Sequence, residues 1–311
     1  MIISNTRVLI MNLTIVSNLA IDRITNNDGQ TIDSLGGPPC YSGLIAKQFG
    51  FSVNLVTKYG SDLGNEYLSF FKKHGLTLNG SNTCSKCLTT RFIIKVIKDS
   101  RELYLESESE DIMISDIESI KTNAWLISPI LNEISPAVLN VLIKKNDSFR
   151  IIDPQGFTRA VDAEGKIFIK KQIDFNLHNI DAIKLDSDEL FCVTGSRDLK
   201  TLQQWKSKNH INFIIFSENN IVHMLHQDKH YWLNTDNIKT RDSTGAGDIL
   251  SSAFTCSYIK ENDYLWAFSF GVGASLAALQ TRKNGLEKIP LYKHIEENAS
   301  YNYNLVKYEN L

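Results

Sequence analysis

The sequence predicts an α/β protein: a three-layer α/β/α arrangement with a mostly parallel central sheet. Two observations favour this class. Short, almost wholly apolar segments alternate along the chain with segments whose apolar residues recur three or four positions apart. The apolar segments lack the polar alternate positions of a half-exposed strand, as expected for parallel strands buried on both faces. With 311 residues, 42% of them hydrophobic, the chain is long enough to bury one large core.

The predicted elements follow one another in a regular order. Six segments have the composition of buried strands: residues 13–18, 53–58, 124–128, 150–153, 182–185 and 213–217. Four segments have helical spacing: residues 39–50, 65–75, 136–146 and 198–209. A further helix is expected directly after Asp248, where the sequence carries little charge. Because ligands of parallel sheets bind outside the carboxyl ends of the strands, the site is expected there.

Two segments interrupt this alternation. Residues 23–37 are polar and follow the first strand, and residues 89–109 have the pattern of two strands around the turn KDSR. We predict that they form a small β-strand lid above the crevice, because small-molecule enzymes often close a lid to exclude water. A pair of surface hairpins is the alternative. Residues 1–311 are assigned to one domain with this lid, whose exposed strand edges leave a homodimer or a monomer open.

Composition excludes several classes of function. A net charge of −2 without a long basic block argues against nucleic acid as a partner. No run approaches the roughly 18 apolar residues that span a bilayer, and the first apolar run is too short for a signal peptide. The cysteines are sparse and odd in number, which favours reduced thiols and a cytoplasmic location; they are Cys40, Cys84, Cys87, Cys192 and Cys256. A structural zinc site would need a second ligand pair beyond the single CxxC.

The stretch RDSTGAGDILSSAF, residues 241–254, carries the strongest chemical signal. Glycines on either side of Ala246 let backbone N–H groups approach a phosphate, and the unpaired amides of a helix start attract an anion. A carboxylate beside bound phosphate is repelled, so the presence of Asp248 at this turn calls for a chemical explanation. A base that accepts the proton of an attacking hydroxyl is such a reason. The alternative is that Asp248 only complements the helix dipole, worth about 0.3–1 kcal/mol.

Several stretches resemble one enzyme family. DSTGAGD at 242–248 resembles the signature DTxGAGD of the ribokinase-like, or PfkB, carbohydrate kinases. Residues 36–68 are similar to the N-terminal signature of that family, with two glycines, a helix, a strand and a G-x-D-x-x-G element. Residues 17–24 resemble its first strand, which ends in a substrate-binding Asp. Residues 184–190 occupy the place of its N-x-x-E magnesium motif, and residues 277–285 resemble the segment beside the adenine pocket.

The resemblance implies a ribokinase-like fold and transfer of the γ-phosphoryl group of ATP, with Mg²⁺, to a sugar or polyol hydroxyl. By position, Asp248 is the catalytic base, and the amides of Gly245, Ala246 and Gly247 form the anion hole. The implied acceptor-binding residues are Asp22, Gly36 and Gly37. Asp186 and Glu189 are implied to position Mg²⁺ through water. Asp242 belongs to a loop that in some members binds a monovalent cation such as K⁺.

The chain departs from the family pattern at three places. Tyr41 stands where the family commonly has Asn, and Asp186 replaces the Asn that opens the magnesium motif. The strand that usually ends in a glycine-bearing nucleotide turn reads IIFSENNIV, without glycine. The candidate nucleotide-binding residues are Ser217, Glu218, Asn219, Gly245, Gly247 and Asn284.

The segment IIDPQGFTR, residues 151–159, bears on the acceptor. It resembles the D-x-Q-G-x-x-R segment of archaeal and eukaryotic myo-inositol kinases, which implies acceptor-binding roles for Gln155 and Arg159, with Tyr41. The alternative is a strand-to-helix turn with a solvated arginine. Because fold and family do not fix a substrate, ribose, fructose, 2-keto-3-deoxygluconate and nucleosides stay open as acceptors. A donor other than ATP, a vitamin kinase and a non-catalytic metabolite-binding protein stay open as well.

Overall fold

The structure is a computed structural model. It describes residues 10–25, 29, 31–78, 83–84, 86–97, 100–173, 176–235, 242–281 and 283–311. Arg241, residues 98–99 of the predicted KDSR turn, and residues 26–28 and 30 of the predicted lid lie outside the described residues.

The strands, in chain order, are β1 (Asn12–Val16), β2 (Ala20–Thr25), β3 (Thr31–Gly36), β4 (Ser52–Val56), β5 (Tyr59–Gly60), β6 (Thr83–Cys84), β7 (Thr90–Ile97), β8 (Ser100–Ser107), β9 (Ala124–Ile127), β10 (Phe149–Ile152), β11 (Arg159–Val161), β12 (Ile167–Ile169), β13 (Ala182–Leu185), β14 (Phe213–Glu218), β15 (Ile221–His226), β16 (Lys229–Asn234) and β17 (Lys307–Asn310). The helices are α1 (Pro38–Gln48), α2 (Asn65–Lys73), α3 (Ile114–Ile117), α4 (Pro136–Ile143), α5 (Gln155–Thr158), α6 (Ser187–Thr194), α7 (Leu199–Lys208), α8 (Ala246–Glu261), α9 (Tyr264–Gln280) and α10 (Tyr292–Tyr303). A 3₁₀ helix spans Gly285–Lys288.

A nine-stranded sheet forms the middle layer, in the order β17-β16-β15-β14-β13-β10-β9-β1-β4. The six predicted strands correspond to β4, β1, β9, β10, β13 and β14, and they pair in parallel. This confirms the mostly parallel sheet. Strands β15, β16 and β17 extend it in antiparallel pairing and were not predicted.

Side chains of single strands point to two different cores. In β9, Ala124 and Leu126 belong to one apolar cluster, whereas Trp125 and Ile127 belong to the other. Helices α1, α8, α9 and α10 pack on the first side, and α4, α6 and α7 supply buried residues to the second. Burial on both faces explains why the predicted strands carry no polar alternation, and it confirms the three-layer α/β/α fold.

A second sheet confirms the predicted lid. Its strands run in the order β3-β2-β7-β8, with β2 and β7 parallel and the outer pairs antiparallel. Ala20, Phe92 and Ile94 from this sheet pack against Ile130 and Leu131, which follow β9. The lid therefore rests on the loop at the carboxyl end of a central strand.

Two of the five cysteines lie side by side. The Cα atoms of Cys84 and Cys87 are 5.6 Å apart, a separation that a disulfide can span, while Cys40, Cys192 and Cys256 are free and buried. The reduced state of the Cys84–Cys87 pair stays a prediction.

Within the described residues, no helix is long and apolar enough to cross a membrane.

Candidate active site

A cavity of about 220 Å³ lies between the lid and the carboxyl ends of the central strands. Strand β10 is followed directly by Asp153, and Lys184 lies in β13, one residue before its end. The lid contributes Asp22, Phe92 and Leu103 to the opposite wall. Most charged groups therefore lie on the sheet side, whereas the lid side presents one carboxylate and apolar side chains.

In the turn before α8, the backbone lies close to side chains of neighbouring elements. Gly245 has φ of +75°, and a Cβ there would lie 2.4 Å from the ring of Tyr41. A Cβ at Gly247 would lie 2.5 Å from the Lys184 ammonium nitrogen. Both glycines line the cavity, so their absence of side chains is required by packing and by access.

Ala246 differs from its two neighbours. Its N–H donates to the carbonyl oxygen of Ser243 at 3.2 Å, within the turn, and the residue is not part of the cavity wall. The three predicted anion-hole residues are therefore not equivalent in this geometry. Gly245 and Gly247 are at the cavity, and the Ala246 amide is engaged by the turn itself.

Asp248 is the third residue of α8 and is only 8% exposed. Burial, reinforced by the nearby Asp153 and Asp22, raises its pKa to about 7, against the opposing effect of Lys184 and Arg159. Its backbone is fixed to α1: the Ser42 hydroxyl donates to the Asp248 carbonyl oxygen at 3.0 Å. A carboxylate in this position exchanges a proton near neutral pH, as a general base requires.

Lys184 is a functional candidate that the sequence reasoning missed. Its ammonium lies 3.0 Å from Asp153 Oδ2 and 3.9 Å from Glu189 Oε2, and the residue is buried. Burial opposes the charged form, but the carboxylates Asp153, Glu189 and Asp186 together raise the pKa of Lys184. The signal was present in the sequence AIKL, where one lysine interrupts an otherwise apolar strand that is buried on both faces.

Asp186 and Glu189 form a capping box at the start of α6. The Asp186 carboxylate accepts the Glu189 N–H at 2.8 Å, and Glu189 Oε2 accepts the Asp186 N–H at 2.7 Å. Both residues line the cavity, and burial raises the pKa of Glu189 although Lys184 opposes this. Carboxylate oxygens are the ligands that Mg²⁺ prefers, so the residue types at this cavity wall fit the predicted ion.

The predicted acceptor-binding residues Asp22, Gln155 and Arg159 all line the cavity. The Arg159 guanidinium donates through Nη2 to Gln155 Oε1 at 2.9 Å and through Nη1 to the Ile130 carbonyl oxygen at 2.7 Å. Gln155 in turn donates to the Ser128 hydroxyl at 3.3 Å. These contacts hold Gln155 and Arg159 at the cavity wall, together with Asp22.

Three other predicted acceptor-binding residues also have structural roles. A Cβ at Gly36 would lie 2.3 Å from the Asp22 carboxylate, so this glycine makes room for Asp22 and does not itself line the cavity. Gly37, with φ of +82°, lines the cavity and begins α1. Tyr41 is 1% exposed and lies under Gly245, and burial raises the pKa of its hydroxyl.

Four of the six candidate nucleotide-binding residues lie outside the cavity wall, while Gly245 and Gly247 line it. Ser217 and Glu218 pair with Val222 and Ile221 in the β14–β15 hairpin, whose tip is formed by Asn219 and the residue after it. The Glu218 carboxylate lies 3.2 Å from the Arg197 guanidinium. Asn284 is exposed and precedes the 3₁₀ helix. None of these four predicted residues lines the cavity.

The loop predicted to hold a monovalent cation contains a protein cation instead. The Lys288 ammonium lies 3.0 Å from Asp242 Oδ2 and donates to the Asp242 carbonyl oxygen at 3.1 Å. The K⁺ that the resemblance implied at Asp242 would have to compete with this ammonium.

Comparison with known proteins places this geometry in a family. Residues 16–289 match the pfkB family of carbohydrate kinases. A search of curated proteins by sequence found no significant match.

Solved structures with the same fold cover almost the whole chain. A pyrophosphate-dependent kinase of the ribokinase family, complexed with a pyrophosphate analogue and myo-inositol, is 20% identical with a TM-score of 0.76, over 92% of this chain and 99% of its own. Ribokinase from Thermotoga maritima is 18% identical with a TM-score of 0.71, over 94% and 99%. Arabidopsis thaliana ribokinase complexed with ribose and ATP is 15% identical with a TM-score of 0.70, over 94% and 99%. At these identities the likeness establishes the ribokinase fold, and the family match extends over most of the chain: the protein belongs to the pfkB family of carbohydrate kinases.

Proposed function

We propose that this kinase transfers the γ-phosphoryl group of Mg-ATP to a hydroxyl of a small sugar or cyclic polyol, with an inositol-like acceptor favoured. One observation carries the proposal. Asp248, a buried carboxylate with a pKa of about 7, borders a cavity whose walls also carry an ammonium, a helix start and the polar side chains of Asp22, Gln155 and Arg159. This arrangement pairs a base with a place for an anion and a place for a polyol.

The chain's own groups suit phosphoryl transfer. Asp248 accepts the proton of the attacking hydroxyl as its oxygen bonds to the γ-phosphorus and the bond from that phosphorus to the bridging oxygen of the leaving ADP breaks. The Lys184 ammonium and the N-terminus of α8 stabilise the charge of the transferred group. Asp186 and Glu189 would hold hydrated Mg²⁺, which neutralises phosphate charge when bound.

The acceptor side has two characters. Asp22, Gln155 and Arg159 supply acceptors and donors for several hydroxyl groups, while Phe92 and Leu103 of the lid present an apolar surface. A cyclic polyol has both a rim of hydroxyls and a C–H face, so it fits this combination. The myo-inositol complex of a kinase with the same fold supports the same class.

The donor has a second candidate, inorganic pyrophosphate. The nucleotide turn has no glycine, its Glu218 is paired with Arg197, and the predicted nucleotide contacts of the hairpin lie outside the cavity. The cavity groups that suit phosphates would serve either donor. One kinase with the same fold is described as pyrophosphate-dependent, and another is complexed with ATP.

A screen of phosphoryl transfer tests the proposal. The purified protein is incubated with Mg²⁺ and either ATP or pyrophosphate, together with inositols, pentoses, hexoses, keto-deoxy acids or nucleosides, and products are identified by ³¹P NMR and mass spectrometry. We expect a phosphorylated polyol whose formation is lost in Asp248→Asn. Asp263→Asn is the matched control, because Asp263 is a carboxylate at the start of α9, outside the cavity wall. No product from any acceptor with either donor would favour the non-catalytic alternative.

Three further statements stay predictions: one kinase domain over residues 1–311, a cytoplasmic location, and a homodimer through the lid. Light scattering of the purified protein, with Ile32 on the lid replaced by Lys, tests the last. Ile32 is 55% exposed, so a dimer through this surface is expected to dissociate in the variant.

A further inference from the structure

Lys288 is a lysine side chain without solvent contact. It is 0% exposed, although a lysine side chain is almost never fully buried unless it is paired. Its ammonium lies 3.0 Å from Asp242 Oδ2, bonds the Asp242 carbonyl oxygen at 3.1 Å, and lies 5.5 Å from the centre of the Tyr41 ring. The two oxygens and the ring surround it with electron-rich groups.

The partner of this ammonium organises the anion-binding turn. Asp242 Oδ1 accepts the N–H of Thr244 at 2.8 Å, and Oδ2 accepts the N–H of Gly285 at 2.8 Å. Thr244 and Gly245 follow directly and line the cavity. The carboxylate thus joins the turn before α8 to the 3₁₀ helix that carries Lys288.

Tyr41 supports the same turn from another side. Its ring faces the Lys288 ammonium and also fills the space where a side chain at Gly245 would lie. The turn is therefore held through a carboxylate and an aromatic ring, and Lys288 contacts both. Removing the ammonium would take an ion-pair partner from the Asp242 carboxylate behind the site, and breaking a buried ion pair by removing one partner is strongly unfavourable.

We propose that Lys288 is a positioning residue: its ammonium acts as a built-in cation that fixes the Asp242 turn, so that phosphoryl transfer needs no monovalent cation from solution. The proposal rests on the proposed function, because it concerns the turn that binds the phosphoryl group. Lys288 is not among the residues that line the cavity. It acts through Asp242 and Tyr41.

The first measurement needs no variant. Turnover of the wild-type protein, with the acceptor and donor found in the screen, is compared in NaCl, KCl and NH₄Cl at equal ionic strength. We expect equal rates in the three salts. An increase of tenfold or more with K⁺ would overturn the proposal, because a site already filled by an ammonium gains nothing from potassium.

Variants of Lys288 give the second measurement. In Lys288→Met we expect kcat to fall about 10- to 100-fold while the acceptor KM changes little, as for a group whose effect is on the transition state. Lys288→Ala leaves space, so NH₄⁺ or K⁺ is expected to restore part of its activity, whereas Lys288→Met is not rescued. Lys206→Met is the matched control, since Lys206 is a buried lysine on α7. A folded Lys288→Met with wild-type kcat, or a folded Lys288→Ala that no cation rescues, would refute the proposal.

A binding assay separates this proposal from the proposed function. Inorganic pyrophosphate binding is measured by calorimetry in the same three salts and in the Met variants. We expect the wild-type affinity to be independent of the salt cation and about tenfold weaker in Lys288→Met, with no change in Lys206→Met. This result holds even if no acceptor is phosphorylated. Equal pyrophosphate affinity in the wild type and Lys288→Met would refute the positioning role of Lys288. The kinase assignment would still stand if the wild type transferred phosphoryl groups.

Discussion

Replacing Asp248 with asparagine is expected to abolish turnover and to stabilise the protein at alkaline pH. The carboxylate is 8% exposed and its pKa rises from 3.8 to about 7 in the folded state. At about 1.4 kcal/mol for each pH unit, keeping this group ionised inside the folded protein costs ~4 kcal/mol at pH 8. Asparagine has nearly the same shape and carries no charge.

The sign of the pH dependence follows from the direction of the shift. Below pH 3.8 the carboxyl is neutral in both the folded and the unfolded chain, so it costs nothing. Between pH 3.8 and about 7 the unfolded chain ionises first, and stability is lost as the pH rises through the folded pKa. The advantage of Asp248→Asn over the wild type in the free energy of unfolding is therefore about 2–3 kcal/mol larger at pH 8 than at pH 5.

The assay compares thermal unfolding of the two proteins at pH 5 and pH 8. For a chain of this length the difference corresponds to about 4 °C in Tm, with Asp248→Asn gaining more at pH 8. In the same preparation, turnover is expected to fall about 10²- to 10⁴-fold, because the base is gone. A variant that gains no more stability at pH 8 than at pH 5 would refute the desolvated carboxylate. A variant with near-wild-type turnover would refute its role as base.

Three further substitutions test other parts of the site. Lys184→Met is expected to lower kcat about 100-fold and to destabilise the protein by about 3 kcal/mol, because the buried Asp153 and Glu189 lose their cation. Steady-state kinetics measures the first effect and urea unfolding the second. An active and stable variant would contradict the role given to Lys184. Gly245→Ala is expected to lower Tm by several degrees, because the new Cβ would lie 2.4 Å from the Tyr41 ring and because φ is +75°. Gly29→Ala is the control, since Gly29 also has a positive φ but open space around it. Comparing the two variants separates the effect of the clash from that of backbone strain. Arg159→Met is expected to raise the acceptor KM about tenfold or more with little change in the donor KM; equal effects on both would remove Arg159 from the acceptor side.

Much of the fold could be predicted because its signals are local. The apolar runs at 124–128 and 182–185 are continuous, since both faces of the strands are buried, and they identify the parallel sheet. The antiparallel strands β15 to β17 escaped prediction. His223, His226 and His230 interrupt their apolar pattern, and β17 pairs with a strand about 80 residues earlier in the chain, which no local pattern reveals.

The same difference between local and long-range signals applies to the residues of the site. The GAGD turn could be predicted because glycine, a helix start and a carboxylate are adjacent in the chain. Lys184 was missed, because the lone lysine in the apolar strand AIKL marks an anomaly whose role becomes clear only when Asp153 and Glu189 are brought within 4 Å of it. Gly36 was assigned to substrate contact, whereas the close approach of Asp22 from the neighbouring strand explains it.

By itself, the sequence determined the α/β class, the lid segments and the position of the candidate catalytic carboxylate, because periodicity and small-residue turns are properties of neighbouring residues. Only the tertiary structure decided the ionisation of the site. The raised pKa of Asp248 depends on burial and on Asp153 and Asp22, which lie far away in the chain. The cation at Asp242 likewise proved to be Lys288, from 46 residues further along. The protonation state of a buried group depends on the side chains that folding places around it, and these side chains come from parts of the chain far from any single motif.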